Sequence, residues 1–389
     1  MSLAYRKMKV IHNYPIWLPR THTWMYNQAR YLPGEIECHI VCERTENLEQ
    51  FSLPNIHSLS REPKWRNYLD RGLRFLHARN HLGYLVERAG TLRAEILHSH
   101  FGYTGWANIL VARKTLLRHA VTFYGADVNY YPRKNPRWLE RYRALFDNVD
   151  RVLCEGPHMA GCIEQMGCPK EKIRVHHLGV SIDEIPFHPR KWTPGEPLRI
   201  LIAASFREKK GIPIALEILG KLQQEVPLEI TIIGDETGEK RSRSEKRKIH
   251  EVIQKHRLQS RTRLLGFQPH TVFFEEAFRH HLFLSPSIAA SDGDTEGGAP
   301  VTIIEAAATG MPVLSTTHCD IPEVIQNGIS GFLAREHDED GLVGHLKWMV
   351  DHPDRWEPIL RNARIRIEEE FNAVVQGEKL GAVYQELVG

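Results

Sequence analysis

Ser291-Asp-Gly-Asp-Thr-Glu-Gly-Gly-Ala-Pro-Val-Thr-Ile-Ile-Glu-Ala-Ala-Ala-Thr-Gly310, followed by Met311-Pro-Val-Leu-Ser-Thr316, is the stretch that decides how the chain is organised. A polar, glycine-rich loop leads here into a helix that we predict to begin at Pro300, a favoured first residue, and to end at Gly310, a favoured cap. This helix is almost entirely apolar and should be buried, yet Glu305 lies in its middle. A buried carboxylate needs a partner.

The amides that precede this helix complete an anion-binding pattern. Gly297, Gly298 and Ala299 have their N–H groups at a helix N-terminus, where unpaired donors and the helix dipole favour negative charge. We therefore expect this stretch to hold a phosphate through its amides and a polyol through Glu305.

The composition is that of an ordinary globular protein. The chain has 389 residues, of which 42% are hydrophobic and 25% charged, with a formal net charge of +3. This length supports two hydrophobic cores. No run approaches the ~18 apolar residues that span a bilayer, and no signal peptide is evident, so we expect a cytoplasmic protein. The six cysteines form no CxxC pair and are expected to be buried free thiols, and no nucleic-acid partner is expected.

Two series of alternating strands and helices divide the chain. The second begins with the apolar run 198–204, typical of a strand covered on both faces, and a proline-rich stretch separates it from the first. The sequence therefore predicts an α/β protein with two Rossmann-like, doubly wound domains facing across a cleft. Its predicted parts are an N-terminal domain over 1–185, a linker over 186–197, a second domain over 198–365, and a C-terminal helix over 366–389 that packs back on the first domain.

The loop after the first strand of the second half carries the candidate cations. Parallel sheets bind ligands at the carboxyl ends of their strands, where Arg207 and Lys210 lie, just before Gly211 and a helix. Together with the amides they could hold a diphosphate; alternatively, Lys209 and Lys210 are merely exposed. No G-x-G-x-x-G follows the first strand and no P-loop is present, which argues against a dinucleotide dehydrogenase and against kinase chemistry.

Loops at the strand ends of the first half hold the candidate acceptor residues. Arg20, Thr21 and His22 follow the first strand, and Asp127 lies in a turn after a later one. His98 and His100 end another strand on one side, but further metal ligands are not evident, so no metal site is predicted.

A basic segment, residues 64–79, alternates arginines with leucine and phenylalanine. Such a segment could lie on an anionic membrane surface. It could equally be a solvated helix face, which is the usual meaning of a charge run. Both interpretations remain open.

These motifs together resemble the retaining glycosyltransferases of family 4, which have the GT-B architecture. The strongest part is Glu296-Gly-Gly-Ala-Pro-Val-Thr-Ile-Ile-Glu-Ala-Ala-Ala-Thr-Gly-Met-Pro-Val313, which is similar to the family's E-x7-E signature followed by EAxAxGxPV. Residues 98–102, 177–183, 205–211 and 233–235 support the resemblance. The form of residues 294–300 most resembles the branch that builds exopolysaccharides such as colanic acid.

The resemblance implies that the domain 1–185 lies on the acceptor side and that the domain 198–365 binds the nucleotide-sugar donor. It also implies roles for individual residues. Lys210 would bind the distal phosphate of a nucleoside diphosphate sugar, Glu305 the ribose hydroxyls, and Phe267 the nucleobase through its backbone. Residues 297–300 would cradle the pyrophosphate and the sugar. The implied catalytic set is Lys210, Arg207, Glu296, His100 and Tyr124, and the implied donor-binding set is Ser205, Lys210, Gly234, Phe267, Glu296, Gly297, Gly298, Ala299, Pro300, Val301 and Glu305.

The chain departs from the family pattern in its phosphate loops. Glu296 and Glu305 are separated by eight residues rather than seven, so Gly297 stands at the first glutamate position. Ser205 stands where the family has an arginine, and Arg207 is the available substitute.

The activity that the resemblance implies is transfer of a sugar, with retention, from a nucleoside diphosphate sugar to a hydroxyl of a saccharide or polyprenyl-diphosphate-linked acceptor, with no metal or other cofactor. Tyr124 stands where many members have a histidine near the sugar, so that role would pass to Tyr124, His100 or Asp127. A nucleotide-sugar epimerase or hydrolase, or a non-catalytic binding subunit, are the alternatives.

Overall fold

The computed structural model describes residues 6–19 and 24–389, so the predicted acceptor residues Arg20, Thr21 and His22 lie outside the described part of the chain. The chain forms two compact units. The first comprises Met1–Ser181 and Asn372–Gly389, and the second comprises Ile182–Phe371.

Seven parallel strands form the main sheet of the first unit. Their order across the sheet is Ile56–Ser58, Ile36–Cys42, Met8–Asn13, Ile96–His100, Arg118–Thr122, Arg151–Cys154 and Ile173–Val175. The chain winds outward in both directions from the neighbouring strands Met8–Asn13 and Ile96–His100, so the switch point of this sheet lies between them. Two short strands, Ile16–Trp17 and Arg44–Thr45, pair separately.

Helices alternate with these strands, as the parallel arrangement requires. They are Trp24–Arg30, Lys64–Phe75, Gly83–Leu92, Gly102–Thr115, Tyr130–Lys134, Arg137–Asn148, Pro157–Gln165 and Ala373–Val388. The last of them buries Leu380 and Tyr384 against Val10 and Ile96 of the sheet. The C-terminal helix is therefore part of the core of the first unit.

Six parallel strands form the sheet of the second unit, in the order Thr262–Gly266, Leu228–Ile233, Leu198–Ala203, Leu282–Ser285, Val313–Thr316 and Phe332–Ala334. The switch point lies between Leu198–Ala203 and Leu282–Ser285. Ile200 and Leu201 are consecutive residues of one strand, so their side chains point to opposite faces, and both are 0% exposed, which fits strands covered on both faces. The helices are Ile212–Leu222, Lys240–Lys255, His270–Arg279, Val301–Ala308, Ile321–Val324, Glu339–Asp351 and Trp356–Glu370.

The unit boundaries differ from the predicted domain boundaries in two places. The segment 186–197 belongs to the second unit, where the buried Arg190 guanidinium donates to the carbonyls of Ala277 and His280. The boundary predicted at residue 366 falls inside a helix, and the chain changes unit at Asn372, whose side chain caps the last helix. Proline spacing could not reveal that one arginine fixes the segment.

The structure also shows the state of the cysteines and the length of the helices, both of which the sequence analysis addressed. All six cysteines are free, and three of them, Cys42, Cys154 and Cys168, are buried. Within residues 6–19 and 24–389, no helix combines the length and the apolarity that crossing a bilayer requires.

Candidate active site

Two loops meet at the switch point of the second sheet. Residues 204–211 follow one central strand and residues 286–300 follow the other, and the N–H of Ile288 donates to the carbonyl of Lys209 at 2.9 Å. Gly211 has a φ of +62°, and a Cβ added there would lie 1.9 Å from the carbonyl oxygen of Pro286. Glycine is therefore what allows the two loops to touch.

Replacing Gly211 with alanine is expected to lower the free energy of unfolding by about 2 kcal/mol or more, since the left-handed conformation alone costs a residue with a Cβ ~1–2 kcal/mol. Urea unfolding of the purified variant measures this loss. Gly344→Ala is the matched control, because no atom lies within 4 Å of a Cβ at this helical position. Equal stability of the two variants would contradict the explanation.

Lys210 and Glu296 form an ion pair between these loops. Nζ lies 2.8 Å from Oε2, and the two side chains are 17% and 5% exposed. Burial alone would raise the pKa of Glu296, but the ammonium groups of Lys210 and Lys209 outweigh it and lower that pKa to about 2. Burial lowers the pKa of Lys210, and Glu296 opposes this effect. Glu296 thus holds a desolvated ammonium in a fixed position.

Lys209 anchors the same loop, a role that sequence reasoning missed. Its ammonium donates to the Thr295 carbonyl at 2.7 Å and to Asp294 Oδ1 at 3.1 Å, and the residue is only 9% exposed. The alternative that both lysines are merely exposed is therefore wrong. Two adjacent lysines look equivalent in the sequence, but in the folded loop they have different hydrogen-bond acceptors. Lys210 donates to Glu296, whereas Lys209 donates to Asp294 and Thr295.

Arg207 lies in the same loop, but its guanidinium contacts carboxylates. It donates to Glu239 Oε1 at 2.8 Å and lies 3.8 Å from Asp294 Oδ2. The backbone carbonyl of Ser205 accepts the N–H of Arg207 at 2.8 Å, so the position of Ser205 supports the turn. The phosphate role of Arg207 stays a prediction.

His318 positions Glu296, and nothing in the sequence pattern pointed to it. The N–H of Glu296 donates to His318 Nε2 at 3.1 Å, so Nδ1 carries the proton and donates it to Glu336 at 2.7 Å. Glu336 also accepts the N–H of Ala289, and the Ser287 hydroxyl donates to Glu296 Oε1 at 2.9 Å. The displaced glutamate is therefore held from several directions.

His318→Phe is expected to weaken nucleoside diphosphate binding about tenfold, because an orphaned buried N–H costs ~1–3 kcal/mol and frees the Glu296 loop. Calorimetric titration of the wild type and the variant measures this. His352→Phe, at an exposed position, is the control and should bind like the wild type. If His318→Phe bound the nucleoside diphosphate with unchanged affinity, the positioning role of His318 would be contradicted.

The partner of Glu305 is His270. The carboxylate is 6% exposed, and its Oε1 lies 2.7 Å from His270 Nε2. Attraction by Glu305 raises the pKa of His270, against the effect of burial. The sequence predicted a partner but expected it to be the donor ribose, and the histidine 35 residues earlier carried no signal. The ribose contact stays a prediction.

The helix after the loop runs over Val301–Ala308, with Pro300 in the cap position rather than first in the helix. Its approach loop buries Gly297 and Gly298, while Ala299, Pro300 and Val301 are half-buried. The helix ends at Ala308 with Thr309 as its C-cap, and Gly310, where the sequence predicted the end, follows with a φ of +82°.

Gly234 and Phe267 lie at two further strand ends. The N–H of Gly234 donates to the Gly266 carbonyl at 2.8 Å, and Phe267 follows half-buried. Gly234 has a φ of +130°, and a Cβ there would lie 1.9 Å from the carbonyl oxygen of Ala204. Glycine is thus required for packing at this position, whatever it contacts in the donor.

In the first unit, His100 and Tyr124 belong to a buried hydrogen-bond chain. His100 Nδ1 lies 2.7 Å from the Tyr124 hydroxyl and Nε2 lies 3.0 Å from His12 Nδ1. His12 Nε2 and His98 Nδ1 both meet the Tyr384 hydroxyl, at 3.0 and 2.5 Å. The ring nitrogens of the three histidines lie within 4.8 Å of one another, but these hydrogen bonds account for the cluster.

Asp127 holds the turn beside this chain. It is fully buried, and its two carboxylate oxygens accept the N–H groups of Gly102 at 2.7 Å and Tyr124 at 2.8 Å. Burial raises the pKa of Asp127 to about 7, against the opposing effect of these N–H groups. Both oxygens of the predicted acceptor-side residue are thus engaged with the backbone.

Comparison with known proteins identifies the class that this fold and site define. Residues 21–184 match Glycosyltransferase Family 4, and residues 184–366 match Glycosyl transferases group 1. The chain belongs to this family of glycosyltransferases, and its two sheets are the Rossmann-like domains of a GT-B fold.

Individual relatives indicate which branch of this family the chain is similar to. WcaL of Escherichia coli strain K12, named for colanic acid biosynthesis, is 32% identical over 306 residues, which cover 77% of this chain and 72% of WcaL. The amylovoran biosynthesis glycosyltransferase AmsK of Erwinia amylovora is 33% identical over 299 residues, covering 76% and 70%. HepE of Anabaena, crystallised with UDP and glucose, has a TM-score of 0.77 at 15% identity, covering 97% of this chain and 100% of HepE. The predicted family, its exopolysaccharide branch and the GT-B fold are confirmed.

Proposed function

We propose that the protein transfers a sugar, with retention of anomeric configuration, from a nucleoside diphosphate sugar to a hydroxyl of a saccharide or lipid-linked saccharide. The product would be an exopolysaccharide or another cell-surface glycan. The observation that carries this proposal is the Lys210–Glu296 pair at the switch point of the second sheet. The names of WcaL and AmsK support the product class, and the UDP bound to HepE supports the donor class.

The leaving diphosphate would be stabilised by charges already in place. As the bond from the anomeric carbon to phosphate oxygen breaks, negative charge grows near the Lys210 ammonium and the amides of residues 297–299, an effect that can supply several kcal/mol. The acceptor oxygen forms its bond on the same face, and its proton passes to the leaving phosphate. This scheme needs neither a metal nor a carboxylate nucleophile of the glycosidase kind.

Incubation with a labelled nucleotide sugar and a saccharide acceptor tests this proposal. The expected product is a new glycoside with the anomeric configuration of the donor, which NMR spectroscopy reads directly. An epimer of the donor or free sugar alone would instead establish the epimerase or hydrolase alternative. An unchanged donor that still binds would establish a binding subunit.

The acceptor we propose is linked to a polyprenyl diphosphate, and the protein would act at the cytoplasmic face of the plasma membrane. The basic segment 64–79 supports this choice, because anionic lipids attract such segments. Side-by-side assays with a free saccharide and its polyprenyl-diphosphate form are expected to give faster transfer to the lipid form. Equal rates would contradict the choice of acceptor.

A further inference from the structure

The helix Lys64–Phe75 packs on the first unit through its polar face. Asp70, which is 3% exposed, accepts from Arg74 Nε at 2.7 Å, and Asn67 donates to the Leu59 carbonyl at 2.9 Å. An ordinary surface helix buries an apolar stripe and exposes the polar one. This helix does the reverse.

Its apolar side chains point into solvent. They form the Trp65 face, which consists of Trp65 at 64% exposure, Tyr68 at 72%, Leu69 at 54%, Phe75 at 82% and Leu76 at 73%. Positions 65, 68, 69 and 76 share one helical stripe with Gly72, and position 75 borders it. A contiguous exposed patch of this kind marks an interaction surface.

Cations border the Trp65 face. Arg61, Lys64 and Arg71 are exposed. Arg74 Nη2 donates to Glu43 at 2.7 Å and Arg71 Nε donates to the same carboxylate at 3.1 Å, so two guanidinium groups share one acid. Together with the exposed Arg61 and Lys64, the rim of the face therefore carries net positive charge beside an apolar centre.

We propose that the Trp65 face docks the protein on an anionic lipid surface, with its aromatic and leucine side chains in the headgroup region and the cations against lipid phosphates. A second copy of the chain would bring like charges together at the rim, whereas an anionic membrane complements both the apolar centre and the basic rim. The docking surface belongs to the first unit, whereas the predicted donor site belongs to the second. The inference rests on the membrane location proposed above and names the side chains that would provide it, but it does not depend on the proposed reaction.

Sedimentation with vesicles of phosphatidylglycerol and phosphatidylcholine in equal parts tests the docking. The triple variant Trp65→Ser/Phe75→Ser/Leu76→Ser is expected to bind about a hundredfold more weakly than the wild type, because three apolar side chains no longer enter the headgroup region. Arg61→Gln/Lys64→Gln is expected to bind these vesicles about thirtyfold more weakly, because two cations no longer face lipid phosphates.

Ile329→Ser/Ile365→Ser is the matched control, because both residues are at least 50% exposed on the second unit, and it should bind vesicles like the wild type. Thermal shifts with nucleoside diphosphates should be the same for all these variants, which separates docking from donor binding. The proposal is overturned if the wild type does not sediment with the vesicles, if the triple variant binds equally well, or if the face proves to be a dimer contact that the triple variant turns into a monomer.

Discussion

Replacement of Lys210 by methionine is expected to lower kcat/KM for sugar transfer by about a thousandfold, the size of effect that follows loss of one preorganised group facing developing charge. Methionine preserves most of the side-chain volume but removes the ammonium that lies 2.8 Å from Glu296. The variant should also lose about 3 kcal/mol of stability, because a buried carboxylate is left with weaker pairing. Steady-state kinetics and urea unfolding measure the two effects separately.

A second substitution distinguishes lost catalysis from lost folding. Lys210→Met/Glu296→Gln removes both charges, so its stability should return toward that of the wild type while turnover stays low. Lys221→Met is the control, since Lys221 forms an exposed ion pair with Glu339 and should affect neither quantity. Wild-type turnover in the single variant, or restored turnover in the double variant, would contradict the role of Lys210.

Acidification to pH 5 is expected to destabilise the first unit. Burial lowers the pKa of His12 and His176 to about 3 and that of His119 to about 4, from an ordinary value of 6.5. The unfolded chain therefore binds more protons than these folded histidines below pH 6.5, so the stability that they contribute is complete above that pH and falls as the pH drops. Each histidine costs about 1.4 kcal/mol per pH unit, or about 6 kcal/mol for the three at pH 5. Asp127 opposes this loss, because its pKa of about 7 lets the folded chain take up a proton first, and the net loss is about 3–4 kcal/mol.

Hydrogen exchange at pH 7.5 and pH 5, corrected for intrinsic rates, locates this loss, with peptides from Met8–Asn13 reporting on the first unit. His176→Gln should reduce the loss by about 2 kcal/mol, since each histidine contributes about 1.4 kcal/mol per pH unit below pH 6.5. His352→Gln, at an exposed position, should leave it unchanged. A first unit equally stable at both values would show that these histidines are not held neutral.

The sequence was sufficient to predict the fold because long-range order follows from local pattern. Continuous apolar runs such as 198–204, each followed by a polar loop and a helix, dictate parallel strands, and parallel strands bring their carboxyl-end loops to one edge. The loops that contain Lys210 and Glu296 could therefore be expected to meet. Their contact at 2.8 Å bears out that inference from topology.

The partners of the site residues could not be predicted, because they come from side-chain direction and burial. Glu305 needed a partner, but only the packed structure brings His270 within 2.7 Å of it. In the same way, Tyr384 joins His12 and His98 across more than 280 residues of chain. The spacing of residues along the sequence does not predict these side-chain contacts.

Glu296 is out of register with the family signature in the sequence, yet it lies at the site in the structure. Counting residues from Glu305 puts Gly297 at the signature position and leaves Glu296 out of register. In the structure the extra residue is absorbed by the loop, where Gly297 adopts a φ of +79° and His318 accepts the N–H of Glu296. The carboxylate still reaches Lys210, so spacing along the chain was a poor guide to position in space.

We have proposed that Lys210 and its loop form the phosphate site of a nucleotide-sugar donor. Thermal-shift titration of the wild type and of Lys210→Met with a panel of nucleoside diphosphate sugars tests this role of Lys210. At least one donor should stabilise the wild type by about 2.7 kcal/mol at a hundred times its dissociation constant, and the same donor should barely stabilise the variant. No stabilisation of the wild type by any donor, or equal stabilisation of both proteins, would contradict the claim.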